Sequence, residues 1–170
     1  MIKKEEGRKT RSDKKIDVKP TISKNLKNQL YTFAFLCNEP VKDVAERLCI
    51  RGATSKVIIE EICQWFRRDY LYKNTLVIGD PNRKKLKIHI QGESAKVTIR
   101  FKQNDYDLLC KLAHALDLTP TTTAAVLIRM TLYNVEFMQK YAYDNLSQLS
   151  DERKKKIEVL LKKMWKGESD

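Results

Sequence analysis

The stretch KVTIRFK, residues 96–102, decides the fold. Apolar residues alternate strictly with polar ones along it: Val97, Ile99 and Phe101 against Lys96, Thr98, Arg100 and Lys102. Successive side chains of a β-strand point to opposite faces, so the pattern predicts a strand with one dry face and one wet, basic face. Such a short strand is unstable alone in water and needs a partner strand and helices beneath its dry face.

A second stretch with the same alternation, IDVKPTIS, lies at residues 16–23. Its apolar and polar sets are Val18, Pro20 and Ile22 against Lys19, Thr21 and Ser23. Pro20 has no N–H to donate, so this strand can pair on only one side at that point. A strand with a single neighbouring strand does not need an N–H group on its other side.

Helical spacing of apolar residues fills most of the remaining chain. It predicts helices over residues 25–37, 41–51, 54–68, 104–117, 120–141 and 150–170. Gly52 suits a left-handed C-terminal cap, and Asn104 or Asp105 suits an N-cap. Thr119 is the expected N-cap of the longest helix, with Pro120 in its first position. The apolar stripe of the last helix, capped by Ser150, covers either the chain's own core or another protomer.

The section between the two strands contains two further short strand patterns. They are residues 75–78 and 86–90, placed around the turn residues Asp80-Pro81-Asn82. This section is predicted to be a hairpin or a linker.

The two halves of the chain are related by a degenerate repeat with an offset of 79 residues. The offset carries Val18, Pro20 and Ile22 onto Val97, Ile99 and Phe101, and Leu30, Phe33 and Ala34 onto Leu109, Leu112 and Ala113. One residue more places Pro40 on Pro120. These matches indicate two copies of one unit.

Composition favours an anionic partner and supports no enzyme. Lys and Arg number 34 against 22 Asp and Glu, a formal net charge of +12, so nucleic acid is the expected partner. The four cysteines are scattered and the two histidines stand alone, so we expect no metal, no cofactor and no catalytic residues. The absence of a membrane-spanning run or a signal peptide predicts a cytoplasmic protein without a membrane partner.

A short two-faced strand followed by two helices, in a basic chain, resembles the ribbon-helix-helix superfamily of DNA-binding proteins. In that family two antiparallel strands lie in the major groove. The resemblance covers roughly residues 16–51 and 96–141. It implies a mainly α fold with a short two-stranded antiparallel β-ribbon, a tandem ribbon-helix-helix pseudo-dimer. Members of the family normally dimerise because one strand supplies only half the ribbon, so the resemblance implies that residues 16–23 pair with residues 96–102 inside this one chain. The chain also looks like regulators carried on conjugative plasmids of Gram-positive bacteria, some of which have tandem units.

The resemblance implies roles for the polar residues of both strands. The expected base-reading residues are Lys96, Thr98, Arg100, Lys19, Thr21 and Ser23. The expected phosphate-binding residues are Thr119, Thr121, Thr122 and Lys102, because a helix start presents unpaired N–H donors. The implied function is sequence-specific binding of double-stranded operator DNA as a transcriptional repressor.

Five segments are expected in this organisation. They are a basic flexible tail (1–15), a first ribbon-helix-helix copy with an added helix (16–72), a linker or hairpin (73–95), a second copy (96–149) and a C-terminal amphipathic helix (150–170). The last helix is a candidate for self-association on adjacent DNA sites, and the tail for an arm that contacts DNA.

Other readings of the sequence stay open. One is a winged helix-turn-helix, with residues 41–48 as positioning helix, 49–53 as turn, 54–66 as recognition helix and 75–90 as wing. Another is a relaxosome accessory protein or antitoxin that binds DNA and also a protein partner. An RNA-binding module is a third, although the wet face of the strand has no aromatic residue on which bases could stack.

Overall fold

The computed structural model describes residues 14–167 and shows a mainly helical chain with short antiparallel strands. The helices in that range are α1 (Lys24–Cys37), α2 (Val41–Ala53), α3 (Lys56–Ile62), α4 (Gln103–Leu116), α5 (Pro120–Tyr133), α6 (Val135–Asn145) and α7 (Asp151–Gly167). The strands are β1 (Ile16–Val18), β2 (Thr21–Ser23), β3 (Tyr70–Tyr72), β4 (Thr75–Val77), β5 (Ser94–Lys96) and β6 (Ile99–Phe101). Residues 1–13 of the predicted tail and 168–170 of the predicted last helix lie outside the described residues.

The two alternating stretches pair with each other inside the chain. β1 pairs with β6 and β2 pairs with β5, both antiparallel. The register does not shift between the two pairs, and in the gap the N–H of Val97 donates to the carbonyl of Pro20 at 3.1 Å. We call the two pairs together the ribbon. The predicted pairing is confirmed, and it reaches back two residues further, to Ser94.

The dry face of the ribbon is buried against helices. Its buried residues are Val18, Pro20, Ile22, Val97, Ile99 and Phe101. β6 packs on α2, while β1 and β2 pack on α5, so each half of the ribbon lies on a helix from the other half of the chain. The alternation read from the sequence therefore assigns both faces correctly.

The second half of the chain repeats the backbone of the first. α1 and α4 each have 14 residues, and each ends at a residue in the left-handed conformation, Asn38 (φ 58°) and Asp117 (φ 57°). Asn and Asp adopt this conformation more readily than most residues, and it closes the end of a helix. The offset of 79 also relates the first residues of α2 and α5, so Pro40 corresponds to Thr119. The sequence comparison aligned Pro40 with Pro120, which required an offset of 80, but the helices align at 79 without that extra residue.

The N-cap of α4 differs from the one predicted. The cap is Lys102, not Asn104 or Asp105, and Lys102 makes no side-chain capping bond. The helix starts earlier because β6 runs straight into it, just as β2 runs into α1 through Ser23. The repeat of the backbone, rather than the local preference for a capping side chain, sets this boundary.

Gly52 lies where α2 packs closely against α5. A Cβ on Gly52 would be 2.7 Å from Cγ2 of Thr131, the residue at the equivalent position in α5. The prediction that Gly52 is a left-handed cap is therefore wrong: α2 continues to Ala53, and glycine is needed for the helix crossing. The same helical turn removes the turn at residues 49–53 that the winged helix-turn-helix reading requires.

The predicted long helix over residues 120–141 is interrupted at Asn134. This residue is extended (φ −89°, ψ 112°), and its side-chain oxygen accepts the N–H of Phe137 at 2.8 Å. Asparagine competes with the helical backbone in this way and starts a new helix, α6. The longest helix in the described residues is instead α7, which has 17 residues.

Residues 67–93, which we call the insertion, lie between the two copies and contain a hairpin, although not the predicted one. β4 pairs with β3 across a tight turn at Lys73 (φ 52°) and Asn74, whereas residues 86–90 form no strand. A two-residue turn closes a hairpin over a much shorter loop than the predicted connection through residues 79–85. α3 ends after seven residues and is followed by a 3-10 turn at Cys63–Trp65.

α7 covers the chain's own core. Its buried residues are Ile157, Leu161 and Met164, and the helix packs on α1 and α5. The indole N–H of Trp165 donates to the carbonyl of Leu132 at 3.0 Å, and the hydroxyl of Ser150 accepts the N–H of Arg153 as the predicted cap. The sequence left open whether the apolar stripe of this helix covers the chain's own core or another protomer, and the structure shows it on the chain's own core.

Candidate nucleic-acid interface

The outward face of the ribbon collects polar side chains from both strands. Its members are Asp17, Lys19, Thr21, Lys96, Thr98 and Arg100. Five of them are residues predicted from the sequence to read bases, and the pairing of the strands brings them onto one surface. All are exposed except Thr21, which is half-buried.

Asp17 is the member of this face that the sequence reasoning missed. It lies opposite Arg100, and its carboxylate is 3.1 Å from Nε of the guanidinium. The ion pair holds Arg100 across the ribbon, and its two terminal nitrogens have no partner among residues 14–167. Asp17 has the same parity as Lys19 in the alternating stretch, so the pattern itself contained the signal.

Ser23 has a structural role that the sequence reasoning did not assign. Its hydroxyl accepts the N–H of Leu26 at 3.0 Å and so caps α1. The residue lies at one end of the ribbon, opposite Ser94. Base reading by Ser23 stays a prediction, and the other five predicted residues lie nearer the middle of the face.

Both helices that leave the ribbon have a lysine at their start, in one case as the N-cap and in the other as the first residue. Lys102 is the exposed N-cap of α4, and Lys24 is the first residue of α1, where its amine lies 3.0 Å from the carboxylate of Glu93. A cation at a helix N-terminus is unfavourable, because the backbone dipole places partial positive charge there. A bound anion would offset this cost at Lys102, which fits its predicted role in phosphate binding.

The start of α5 offers fewer free donors than predicted. The hydroxyl oxygen of Thr119 accepts the N–H of Thr122 at 3.1 Å, so that N–H is already satisfied and the prediction of a free donor there is wrong. The N–H of Thr121 has no partner among the described residues. The first turn of α5 contains no acidic residue, so nothing in the turn itself opposes a phosphate at this position.

The equivalent start of α2 has a different charge. Asp43 lies in its first turn, and Glu39, just before it, is bound by the guanidinium of Arg47. Burial lowers the pKa of Arg47, but its hydrogen bonds to Tyr141 and Glu39 and the charges of these groups together raise the pKa above its usual value. A phosphate near α2 would therefore meet a carboxylate that has no counterpart at α5.

A cluster of three cations surrounds Asp117 at the end of α4. Its carboxylate lies 2.7 Å from Arg67, 3.3 Å from Arg68 and 3.6 Å from Lys85. The backbone N–H groups of both arginines also donate to the carbonyl of Ala115, so the insertion caps α4. The sequence reasoning placed the two arginines at the end of the third helix and did not foresee this contact. One carboxylate among three cations leaves a positive surface.

The described residues contain no group of three or more His, Cys, Asp and Glu side chains that could hold a metal ion. The cysteines are free thiols; Cys37 and Cys49 are buried, and burial raises the pKa of Cys37 to about 12. Within residues 14–167, no helix has both the length and the apolar character to cross a membrane.

Comparison with known proteins found no match. No family model matches the chain, and no curated protein or solved structure matches it. Inferences about function therefore rest on the ribbon, its charges and its packing.

Proposed function

We propose that this chain is a sequence-specific double-stranded DNA-binding protein that acts as a transcriptional repressor and reads the major groove with its ribbon. The observation that carries the proposal is the ribbon itself. Two strands of one chain bury their apolar face on helices and present five predicted base-reading side chains on the other face. A two-stranded ribbon of this kind fits the width of the major groove.

The repeated backbone supports a tandem ribbon-helix-helix pseudo-dimer. Each half supplies one strand and two helices, and the strands pair with each other as two chains would in a dimer. The equivalent residues Asn38 and Asp117 end the first helices with nearly identical torsion angles. Gly52 and Thr131, also equivalent, meet where the second helices cross. Approximate two-fold symmetry within one chain explains both facts.

Charge supports DNA as the ligand. The chain has a formal net charge of +12, and Lys96, Arg100 and Lys19 lie on the face available to a duplex. Such a surface neutralises phosphates and releases counterions, so binding weakens steeply as salt rises. Occupation of an operator would block transcription without any catalytic step, and the proposal assigns no enzymatic activity, metal or cofactor.

The test is selection of duplexes from random-sequence DNA by the full-length protein. We expect enrichment of one motif and a salt slope that corresponds to roughly 5–8 neutralised phosphates, each adding about 0.9 to the slope of log affinity against log salt. Single-stranded RNA added as competitor should displace the selected duplex poorly, because the ribbon has no aromatic platform for unstacked bases.

Two results would contradict the proposal. If no motif is enriched, the ribbon does not read sequence in DNA. If single-stranded RNA displaces the duplex at equal concentration, the basic face serves RNA instead.

A further inference from the structure

The insertion carries a basic segment that leads into one end of the ribbon. We call residues 85–91 the strap. Along it exposed residues alternate with half-buried ones: Lys85, Lys87, His89 and Gln91 against Leu86, Ile88 and Ile90. Leu86 and Ile88 pack against the core. The strap therefore has an apolar face on the protein and a basic face towards solvent.

The start of the strap belongs to the cation cluster at the end of α4. Lys85 shares the carboxylate of Asp117 with Arg67 and Arg68. The exposed side chain of Lys87 forms no ion pair with any described residue. Positive charge thus exceeds negative charge where the strap begins.

The far end of the strap joins the ribbon. The chain turns at Gly92, whose φ of 76° favours glycine, and the carbonyl of Glu93 accepts the N–H of Lys24 at 2.8 Å. A small cleft lined by Ile88, Ile90, Ile22 and Ala125 marks where the strap, the ribbon and α5 meet. At this junction the exposed carboxylate of Glu93 is paired with the amine of Lys24 at 3.0 Å, so its charge is offset where the strap meets the ribbon.

The strap lies at one end of the ribbon and not at the other. The strap precedes the second strand of the ribbon, and the offset of 79 relates it to residues 6–12, which precede the first strand and lie outside the described residues. The strap lies at the Ser23–Ser94 end of the ribbon. A chain that leaves the end of a ribbon seated in the groove must pass the phosphate backbone there, and cations at that point would neutralise it.

We propose that the strap binds DNA phosphates that flank the ribbon on one side only, and that Lys85 and Lys87 are the residues that do so. This inference rests on the proposed DNA-binding function. It assigns a role to the exposed face of a segment that lies between the two copies. The arginines of the cluster keep α4 capped, while the lysines remain available to DNA.

The test uses a duplex that the full-length protein selects from random-sequence DNA, with phosphate contacts mapped by ethylation interference. The variant is Lys85→Gln with Lys87→Gln, which leaves Asp117 bound by two arginines. The matched control is Lys162→Gln with Lys163→Gln on α7. In each pair one lysine has an ion pair and the other has none with a described residue. Lys162 pairs with Glu158 at 2.7 Å, as Lys85 pairs with Asp117 at 3.6 Å, whereas Lys163 and Lys87 are unpaired among the described residues. Melting temperatures of both variants are measured first.

We expect the strap variant to lose interference at phosphates on one side of the selected motif and nowhere else. Its salt slope should fall by about 1–2, since each lost phosphate contact removes about 0.9, while the selected motif and the melting temperature stay the same. The control variant should keep the parent pattern and slope. An unchanged interference pattern in the strap variant overturns this inference alone. Failure to select any duplex overturns the proposed function together with it.

Discussion

The helices of the two halves of the chain correspond at an offset of 79 residues, but equivalent positions differ in charge. Asp17 occupies in the first strand the position that Lys96 occupies in the second, and Asp43 in α2 corresponds to Thr122 in α5. The backbone repeats because the same apolar positions are buried and the same residues close the helices. Outward side chains are free of that constraint and have diverged. If the chain binds DNA as proposed, it would present different side chains to the two half-sites, whereas a symmetric homodimer presents identical ones.

The largest expected effect compares equivalent core positions of the two strands. Phe101 and Ile22 are both almost fully buried on the dry face of the ribbon. Phe101→Ala should lower the free energy of unfolding by about 3–5 kcal/mol, and Ile22→Ala by about 2–5 kcal/mol. Denaturant unfolding of both variants measures this. A loss below about 1 kcal/mol at either site would contradict its burial under the ribbon.

The second prediction exchanges the residues where the two copies meet. Gly52→Thr should destabilise the chain by about 1–3 kcal/mol, because the added side chain overlaps Thr131. Adding Thr131→Gly should restore part of the loss, since each residue then occupies the position of its equivalent. Thermal unfolding of the single and double variants measures the coupling. Strictly additive effects would argue that the two residues do not face each other.

The third prediction compares equivalent residues on the outward face. Arg100→Ala should reduce discrimination between the selected motif and random DNA by about 1–3 kcal/mol, because arginine can bond two acceptors of guanine at once. Thr21→Ala, at the equivalent position, should cost less. The control is Arg51→Ala, which breaks an ion pair with Asp144 of the same 3.1 Å length outside the ribbon. Affinity ratios equal to the parent's for Arg100→Ala would show that the ribbon does not read this base.

The fourth prediction compares the two helix starts with the same change of charge. Thr121→Glu should weaken binding to all duplexes by about 1 kcal/mol or less, yet keep or raise the melting temperature, since a carboxylate is favourable at a helix N-terminus. Lys42→Gln at the equivalent position of α2 should weaken binding less, because Asp43 already lies there. Equal losses at the two starts would remove the proposed difference between the copies.

The smallest expected effect is the effect of protein concentration on folding. Each copy supplies the strand that the other lacks, so the ribbon forms without a second chain. Sedimentation at low concentration should find a folded monomer, and the melting temperature should not change with concentration. A chain that unfolds on dilution would show that its stability depends on association.

The elements that the sequence predicted best are those with a regular hydrophobic period. The faces of the second strand, the helix before Asn38 and the helix that starts at Pro120 all followed from spacing and end signals. The errors at Gly52 and Asn134 arose because a glycine and an asparagine have several uses. Glycine can cap a helix or allow a close crossing, and asparagine can sit inside a helix or start a new one. Local sequence does not distinguish between these uses.

The sequence alone determined which side chains face the core and which face solvent, because that choice depends on the period of the apolar residues along one segment. It also determined the positive charge of the chain. Only the tertiary structure decided that Asp17 lies beside Arg100, that the insertion caps α4 with Arg67 and Arg68, and that the strap runs from this cluster to the ribbon. These contacts join residues far apart in the chain, and their geometry depends on how all the helices pack together.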